Sequence, residues 1–131
     1  MQYMLLIHTD ESGMREVRAA AAAKGAAPEM MGAYRAYTEA MKKAGVFVAG
    51  DALQTSDTAT VVRVRDGHTQ VLDGPYAEAK EQLAGYYLIE ARDLNEAIRI
   101  AAQIPSARDG CVELRPVADD PQTLALGLDA R

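Results

Sequence analysis

The chain has 131 residues, the usual size of one domain, and 49% of them are hydrophobic, which is enough to bury a core. Its formal net charge is −5 and its 14 basic residues are scattered, whereas nucleic-acid binding needs clustered Lys and Arg. The single Cys111 excludes an internal disulfide and favours a reducing compartment. We therefore expect a cytoplasmic protein whose partner is a small molecule or another protein.

The chain opens with an apolar segment, Met1 to Ile7, that breaks at His8. This segment lacks a basic leader and is too short for a signal-peptide core or a membrane span, so it predicts a strand and no membrane association. Residues at both odd and even positions of the strand are apolar, which is typical of a strand covered on two sides. Residues 9–28 are rich in Ala and Gly, and we assign no chemistry to them.

Two segments have helical periodicity. From Glu29 to Ala44, apolar residues recur every three or four positions, and Gly45 can take the left-handed conformation that ends a helix. Before the second helix, Asp93 and Glu96 form a capping box, and Pro105 stops that helix.

The segment between the helices predicts a β-hairpin. Thr60 to Arg65 and His68 to Leu72 flank Asp66 and Gly67, two residues that readily form a type I′ turn. The remaining predicted elements, in chain order, are a strand Val46–Ala49, a short helix Ala77–Leu83, a strand Gly85–Ala91 and a strand Cys111–Val117 that holds Cys111 as a buried thiol.

Without the hairpin, the order is strand, helix, strand, strand, helix, strand. This order predicts an α+β fold of the ferredoxin-like split βαβ type, an antiparallel sheet with two helices on one face and an inserted β-hairpin. The uncovered face would carry apolar residues, so we expect a homodimer through the sheet face. We place one domain at residues 1–117 and a loose tail at residues 118–131.

Residues 72–82 read Leu-Asp-Gly-Pro-Tyr-Ala-Glu-Ala-Lys-Glu-Gln, which resembles the DGPF motif, Asp-Gly-Pro-Phe-Ala-Glu-Thr-Lys-Glu, of YCII-related proteins. Tyr76 replaces the Phe and Ala79 the Thr. The resemblance continues through Leu83 to Ile89 and Val112 to Val117, and it covers most of the chain except residues 9–27 and the tail. It implies a bacterial, cytoplasmic dimeric α/β barrel in a family largely of unknown function.

The resemblance also implies two contexts for function. Some relatives accompany extracytoplasmic-function sigma factors, and a few distant ones are isomerase- or dehalogenase-like enzymes acting on lactones. Those enzymes are associated with a His on the first helix and a nearby Asp. The first helix of this chain holds no His, and Tyr34 stands near the expected position.

Three residues are candidate catalytic groups. His8 ends the first strand, and histidine is the side chain best suited to proton transfer near neutral pH. Asp51 follows Gly50 at a strand end, where it either meets a pocket or is a plain loop carboxylate. Asp73 precedes Gly74-Pro75, where it either accepts backbone N–H groups as an Asx turn or joins a polar cluster at a cleft.

Candidate ligand-binding residues surround the same turn. They are Tyr34, Asp73, Tyr76, Lys80 and Glu81. For Lys80 and Glu81 the alternative is a solvated helical face, and for Tyr34 it is core packing. No Cys or His has metal-ligand spacing, and there is no phosphate loop or nucleophile elbow, so we predict no metal and no cofactor.

Three functions are open at this point. The first is a small-molecule-binding or regulatory dimeric module with a pocket bounded by Tyr34, Asp51 and Asp73. The second is a cofactor-free isomerase, lyase or dehalogenase-like enzyme acting on a lactone or small cyclic acid. The third is a structural dimer without a ligand.

Overall fold

The computed structural model describes residues 1–12, 29–77 and 79–118, which form a mixed α+β fold with antiparallel sheets. Its elements, in chain order, are β1 (Gln2–Thr9), α1 (Glu29–Lys43), β2 (Phe47–Ala52), β3 (Thr60–Arg65), β4 (His68–Asp73), β5 (Gln82–Glu90), α2 (Leu94–Ala102) and β6 (Cys111–Pro116). Short 3-10 turns, Ser56–Thr58 and Pro105–Arg108, precede β3 and β6. The predicted loose tail, from residue 119 onward, and most of the Ala- and Gly-rich segment lie outside the described residues.

The main sheet has the strand order β2-β5-β1-β6, and each neighbouring pair is antiparallel. Along the central strand β1, Tyr3, Leu5 and Ile7 are buried, whereas the residues between them are half-buried. Side chains of a strand alternate between the two faces of a sheet. The main sheet therefore has one covered face and one open face.

Both helices pack on the covered face. Met41 of α1 and Ala97 and Ala101 of α2 join Leu5 and Ile89 in one hydrophobic core. Leu5 and Ile89 are fully buried, and burying such a side chain contributes about 1.5 to 3 kcal/mol. This layer of side chains fixes the two helices against the central strands.

The predicted helix ends are confirmed. Gly45, just after α1, has a φ of +76°. At the start of α2, the Asp93 carboxylate accepts the backbone N–H of Glu96 at 2.9 Å. The Glu96 carboxylate accepts the N–H of Arg92 at 3.2 Å and its Nε–H at 2.6 Å, so the second half of the capping box is shifted by one residue. Helix α2 ends at Ala102, before Pro105.

The predicted hairpin is also confirmed. Strands β3 and β4 pair with each other alone among the described residues, and Asp66 and Gly67 have φ angles of 51° and 77°. The base of the hairpin is tied to the end of β1 by a carboxylate that sequence reasoning did not single out. Glu11, which is 8% exposed, accepts the N–H of Ser56 at 2.7 Å and its hydroxyl at 2.6 Å.

The predicted short helix Ala77–Leu83 is wrong. The described residues of this segment form bends, and β5 already begins at Gln82. An isolated helix of this length has too few hydrogen bonds to be stable without tertiary contacts. In place of a helix, the backbone forms strand hydrogen bonds at the start of β5, where the N–H of Leu53 donates to the carbonyl of Ala84 at 2.8 Å.

Strand β2 runs further than predicted, through Gly50 and Asp51 to Ala52. Gly50 does not stop it, because the missing side chain leaves room for the ring of Tyr87. A Cβ at Gly50 would lie 2.5 Å from a ring carbon of Tyr87. A glycine that reads as a turn signal is here a place of close approach within a strand.

The prediction that Cys111 is buried is also wrong, since this residue is exposed. Cys111 lies at the start of β6, an edge strand of the main sheet. It has the same parity as Glu113, whereas Val112 and Leu114 point towards the covered face. The alternation of the strand therefore places the thiol on the open face.

Candidate functional site

The open face has polar groups at its edges and an apolar centre. We define it by the residues whose parity is opposite to that of the core, namely Met4, Leu6 and His8 of β1, Tyr86 and Leu88 of β5, Ala49 and Asp51 of β2, and Cys111, Glu113 and Arg115 of β6. Met4, Leu6 and Leu88 are half-buried and lie on the two central strands.

A tyrosine and an aspartate form the first polar pair of the open face. Asp51 and Tyr86 are directly opposite each other in the β2–β5 ladder, and the Tyr86 hydroxyl donates to Asp51 Oδ2 at 2.8 Å. The hydrogen bond to the carboxylate, and then its negative charge, raise the pKa of Tyr86. The phenol is thus held neutral as a donor, with its orientation set by Asp51.

A histidine and a glutamate form the second pair. His8 Nε2 lies 3.5 Å from Glu113 Oε1, and 26% of the His8 side chain is exposed. A register shift in the β1–β5 ladder falls between Ile7 and His8. A carboxylate beside an imidazole orients the ring.

A close backbone contact at Gly110 brings a third carboxylate, that of Glu81, to the His8 end of the sheet. A Cβ at Gly110 would overlap the carbonyl oxygen of His8 and would lie 3.0 Å from Glu81 Oε2. The N–H of Gly110 donates to the carbonyl of Ser106 at 2.8 Å, which fixes this turn. Glycine at this position therefore allows His8 and Glu81 to lie close together.

The two pairs are related through one residue, Leu6. In the sheet register Leu6 is opposite Tyr86 on one side and opposite Glu113 on the other. Asp51, Tyr86, Leu6 and Glu113 thus form one row across four strands, and its ends are roughly 14 Å apart at the usual strand spacing. An arrangement of this kind offers an apolar contact between two sets of hydrogen-bonding groups.

The structure brings together only some of the residues that the sequence predicted. His8 and Asp51 lie on the open face, with Glu81 near His8. Tyr34 lies on the other side of the sheet, where its hydroxyl donates to Ser106 Oγ at 2.6 Å and its ring packs on the core. A pocket bounded by Tyr34, Asp51 and Asp73 is therefore not formed.

Asp73, Tyr76 and Lys80 belong to none of the four strands of the main sheet. Asp73 is exposed at the end of β4, and the bend after it is held by the N–H of Gly74, which donates to the carbonyl of Ala59 at 2.8 Å. The Tyr76 side chain is exposed, with the Arg63 guanidinium 5.7 Å from its ring centroid. Lys80 is exposed in the bends before β5.

The predicted Asx turn at Asp73 does not form as proposed. The residue two positions on is Pro75, which has no N–H to donate, and the Gly74–Pro75 peptide bond is cis. Among the described residues the bend depends instead on Gly74, because a Cβ there would lie 2.9 Å from the Cβ of Ala59.

Tyr86 and Glu113 were missed by sequence reasoning. Each of them alternates with apolar residues along a predicted strand. A polar side chain at such an alternate position was the signal that could have identified them. Their partners, however, are 35 residues away for Tyr86 and 105 for Glu113, separations that only the sheet register bridges.

The hydroxyls on the covered face are used internally. The Tyr37 hydroxyl donates to the carbonyl of Ile100 at 2.7 Å, and the Tyr87 and Thr38 hydroxyls lie 2.8 Å apart. Burial raises the pKa of both tyrosines. These groups connect the helices to the sheet and leave the open face as the accessible polar site.

Comparison with known proteins identifies a family and is silent on chemistry. The family model described as the YCII-related domain matches residues 1–119. The chain belongs to the YCII-related family. An uncharacterised protein of Rhizobium meliloti (strain 1021) is 43% identical over 68 residues, which cover 50% of this chain and 55% of that relative. The match thus spans about half the length of this YCII-related protein and of the relative.

The described residues lack two features that would define a class of site. They contain no group of three or more His, Cys, Asp or Glu placed to hold a metal ion. Within the same residues, no helix combines the length and apolar character needed to cross a membrane.

Proposed function

We propose that this YCII-related protein is a homodimeric small-molecule-binding or regulatory module whose ligand contacts the open face. The observation that carries the proposal is two pairs of polar groups on either side of Leu6, the hydrogen-bonded pair Asp51–Tyr86 and the 3.5 Å contact between His8 and Glu113. All four polar side chains lie on one face of one sheet, where a single ligand can reach them.

The strand order supports a ferredoxin-like arrangement. In the main sheet β1 lies between β5 and β6, α1 follows β1 in the chain, and α2 follows β5. This is the order of the split βαβ pattern, with the hairpin as an insertion. Two such sheets packed by their open faces would form a dimeric α/β barrel.

The apolar centre of the open face supports dimerisation. Met4, Leu6 and Leu88 are half-buried residues on the central strands, and removing apolar surface from water contributes about 25 cal/mol per Å². A two-fold axis brings the same patch of each copy together. Asp51 and Glu113 lie on the edge strands, so dimerisation would leave both carboxylates near the rim of the interface.

The charges of the site favour a neutral ligand. On this face the exposed carboxylates of Asp51 and Glu113 outnumber the single guanidinium of Arg115, and the chain carries a net charge of −5. An anionic ligand would meet like charges there, whereas a neutral lactone or phenol offers both apolar surface and a hydrogen-bond acceptor.

A thermal-shift experiment with two probes tests this proposal. We expect coumarin, a neutral lactone, to raise the unfolding midpoint more than benzoate, and Tyr86→Phe to lose at least half of that shift. At a ligand concentration of about 100 Kd the stabilisation is about 2.7 kcal/mol, which such an experiment detects readily. Tyr76→Phe is the matched control, because it removes the same hydroxyl from the exposed hairpin base.

Two outcomes would change the proposal. An equal loss in Tyr76→Phe and Tyr86→Phe would move the site away from the open face. Conversion of the lactone to product by the wild type, abolished in His8→Gln, would replace a binding module by a cofactor-free enzyme, in which His8 oriented by Glu113 acts as the base.

A further inference from the structure

The hairpin has one charged face and one face that is charged only at its base, where Asp73 is opposite Thr60. On the first face β3 places Val61, Arg63 and Arg65 opposite Leu72, Gln70 and His68 of β4. On the second face Val62 is opposite Val71 and Val64 is opposite Thr69. We call this second surface the valine face.

The valine face is the one turned to solvent. Val62, Val64 and Val71 are 62%, 60% and 65% exposed. On the charged face Val61 and Arg63 are half-buried, and the Arg63 guanidinium lies 5.7 Å from the ring centroid of Tyr76, whereas the remaining residues of that face are exposed. A strand that packs on its own domain places its apolar side inwards, whereas three valines on one face of this hairpin are exposed.

The pairing of the hairpin leads to the same conclusion. Among the described residues β3 and β4 form a sheet of two strands only. A two-stranded hairpin by itself is marginally stable in water, and it needs further strands or a packed apolar face to be stable. The residues of the valine face are suited to supply that packing, but nothing in the described part of one chain covers them.

We propose that the valine face of each hairpin packs against a second copy of this chain. The inference rests on the proposed homodimer and extends it, because the hairpin would then form part of the interface and close over one end of the partner's open face.

Two observations favour a second copy over a foreign protein. Apart from Asp73 at its base, this face of the hairpin is uncharged, and the centre of the open face is likewise uncharged at Met4, Leu6 and Leu88. A charged partner would gain nothing from such a surface.

Chain connectivity provides the second observation. The hairpin is inserted between β2 and β5, the neighbouring strands that carry Ala49, Asp51, Tyr86 and Leu88 of the open face. The valine face and the open face are thus attached to the same two strands, so a two-fold dimer formed through the open faces brings each hairpin close to the partner chain.

Two adjacent residues of β4 provide a matched test. Val71 and Gln70 are both exposed and point to opposite faces of the hairpin. We expect Val71→Lys to weaken the dimer at least tenfold, since a charge would be buried in an apolar interface. Gln70→Lys adds the same charge on the other face and should leave the dimer as strong as wild type. The dissociation constants can be measured by sedimentation equilibrium.

A measurement on the wild type keeps the test independent of variant folding. In a dimer mixed from isotope-labelled and unlabelled chains, the methyl groups of Val62, Val64 and Val71 should show intermolecular NOEs, and those of Val61 should show none. A wild-type dimer without these contacts, in which Val71→Lys and Gln70→Lys behave alike, would overturn the hairpin inference while leaving the proposed dimer intact. A monomeric wild type would overturn both.

Discussion

The two faces of the main sheet are made from the same strands and have opposite roles. Leu5 and Leu6 are neighbours on β1, yet Leu5 is fully buried under the helices and Leu6 is half-buried on the open face. Tyr86 and Tyr87 repeat the contrast on β5. The Tyr87 hydroxyl lies 2.8 Å from that of Thr38 in α1, whereas the Tyr86 hydroxyl donates to Asp51 on the open face.

This comparison separates polar groups that support the fold from groups available for function. On the covered face the hydroxyls of Tyr34, Tyr37 and Tyr87 contact an atom of a helix or of the turn before β6, and the hydroxyl of Tyr3 donates to Met1 Sδ. On the open face the partners are other side chains of the sheet, and no helix of the described residues covers them. A ligand or a second chain can therefore compete for the groups of the open face alone.

The largest effect should follow from truncating the two leucines. Leu5→Ala should lower the free energy of unfolding by about 2 to 5 kcal/mol, because it opens a cavity in the core. Leu6→Ala should cost less within one chain and should act mainly by weakening the dimer. Urea unfolding over a range of protein concentrations separates the two effects. Equal losses that do not depend on concentration would show that the faces do not differ.

A smaller effect should follow from filling the space beside Tyr87. Gly50→Ala should destabilise the protein by about 1 to 3 kcal/mol, because the new Cβ would meet the Tyr87 ring. Gly32→Ala is the control, since Gly32 lies in α1 with no atom within 4 Å of a Cβ there, and it should stabilise the helix by about 0.5 to 1 kcal/mol. Thermal unfolding measures both, and a harmless Gly50→Ala would refute the close packing of β2 on Tyr87.

The pH dependence should be the most modest effect. Burial raises the pKa of Tyr37 and Tyr87 above the ordinary tyrosine value of about 10. The unfolded chain releases these protons first, so their contribution to stability is complete below about pH 10 and is lost as the pH rises towards the folded-state values. Tyr37→Phe should reduce this alkaline loss. If the unfolding free energy of the wild type and of Tyr37→Phe had the same slope against pH, Tyr37 would not be a cause of the alkaline loss.

The helix ends and the hairpin turn could be predicted because their signals are local. Asp93 and Glu96 are three residues apart, and Asp66 and Gly67 are adjacent, so short-range hydrogen bonds and backbone preferences decide both structures. The same kind of reasoning gave a false helix at Ala77–Leu83, where pairing of β5 with distant strands outweighs a weak helical pattern.

The site could be predicted only in part because it depends on sheet register. His8 and Asp51 were recognised as polar residues near strand ends, but their partners Glu113 and Tyr86 come from other strands. Tyr34 was assigned to the same pocket, although its helix packs on the opposite face. Composition indicates which residues can do chemistry, and the register decides which of them meet.

The central claim is that the open face is buried between two copies of the chain, and a mass measurement on Leu6→Arg tests it most directly. Leu6 lies at the centre of the open face, opposite Tyr86 and Glu113, and an arginine there would place a charge in the proposed interface. Light scattering at micromolar concentration should give twice the mass of one chain for the wild type and the mass of one folded chain for Leu6→Arg. A wild-type monomer, or a Leu6→Arg protein that remains as firmly dimeric as the wild type, would contradict the account.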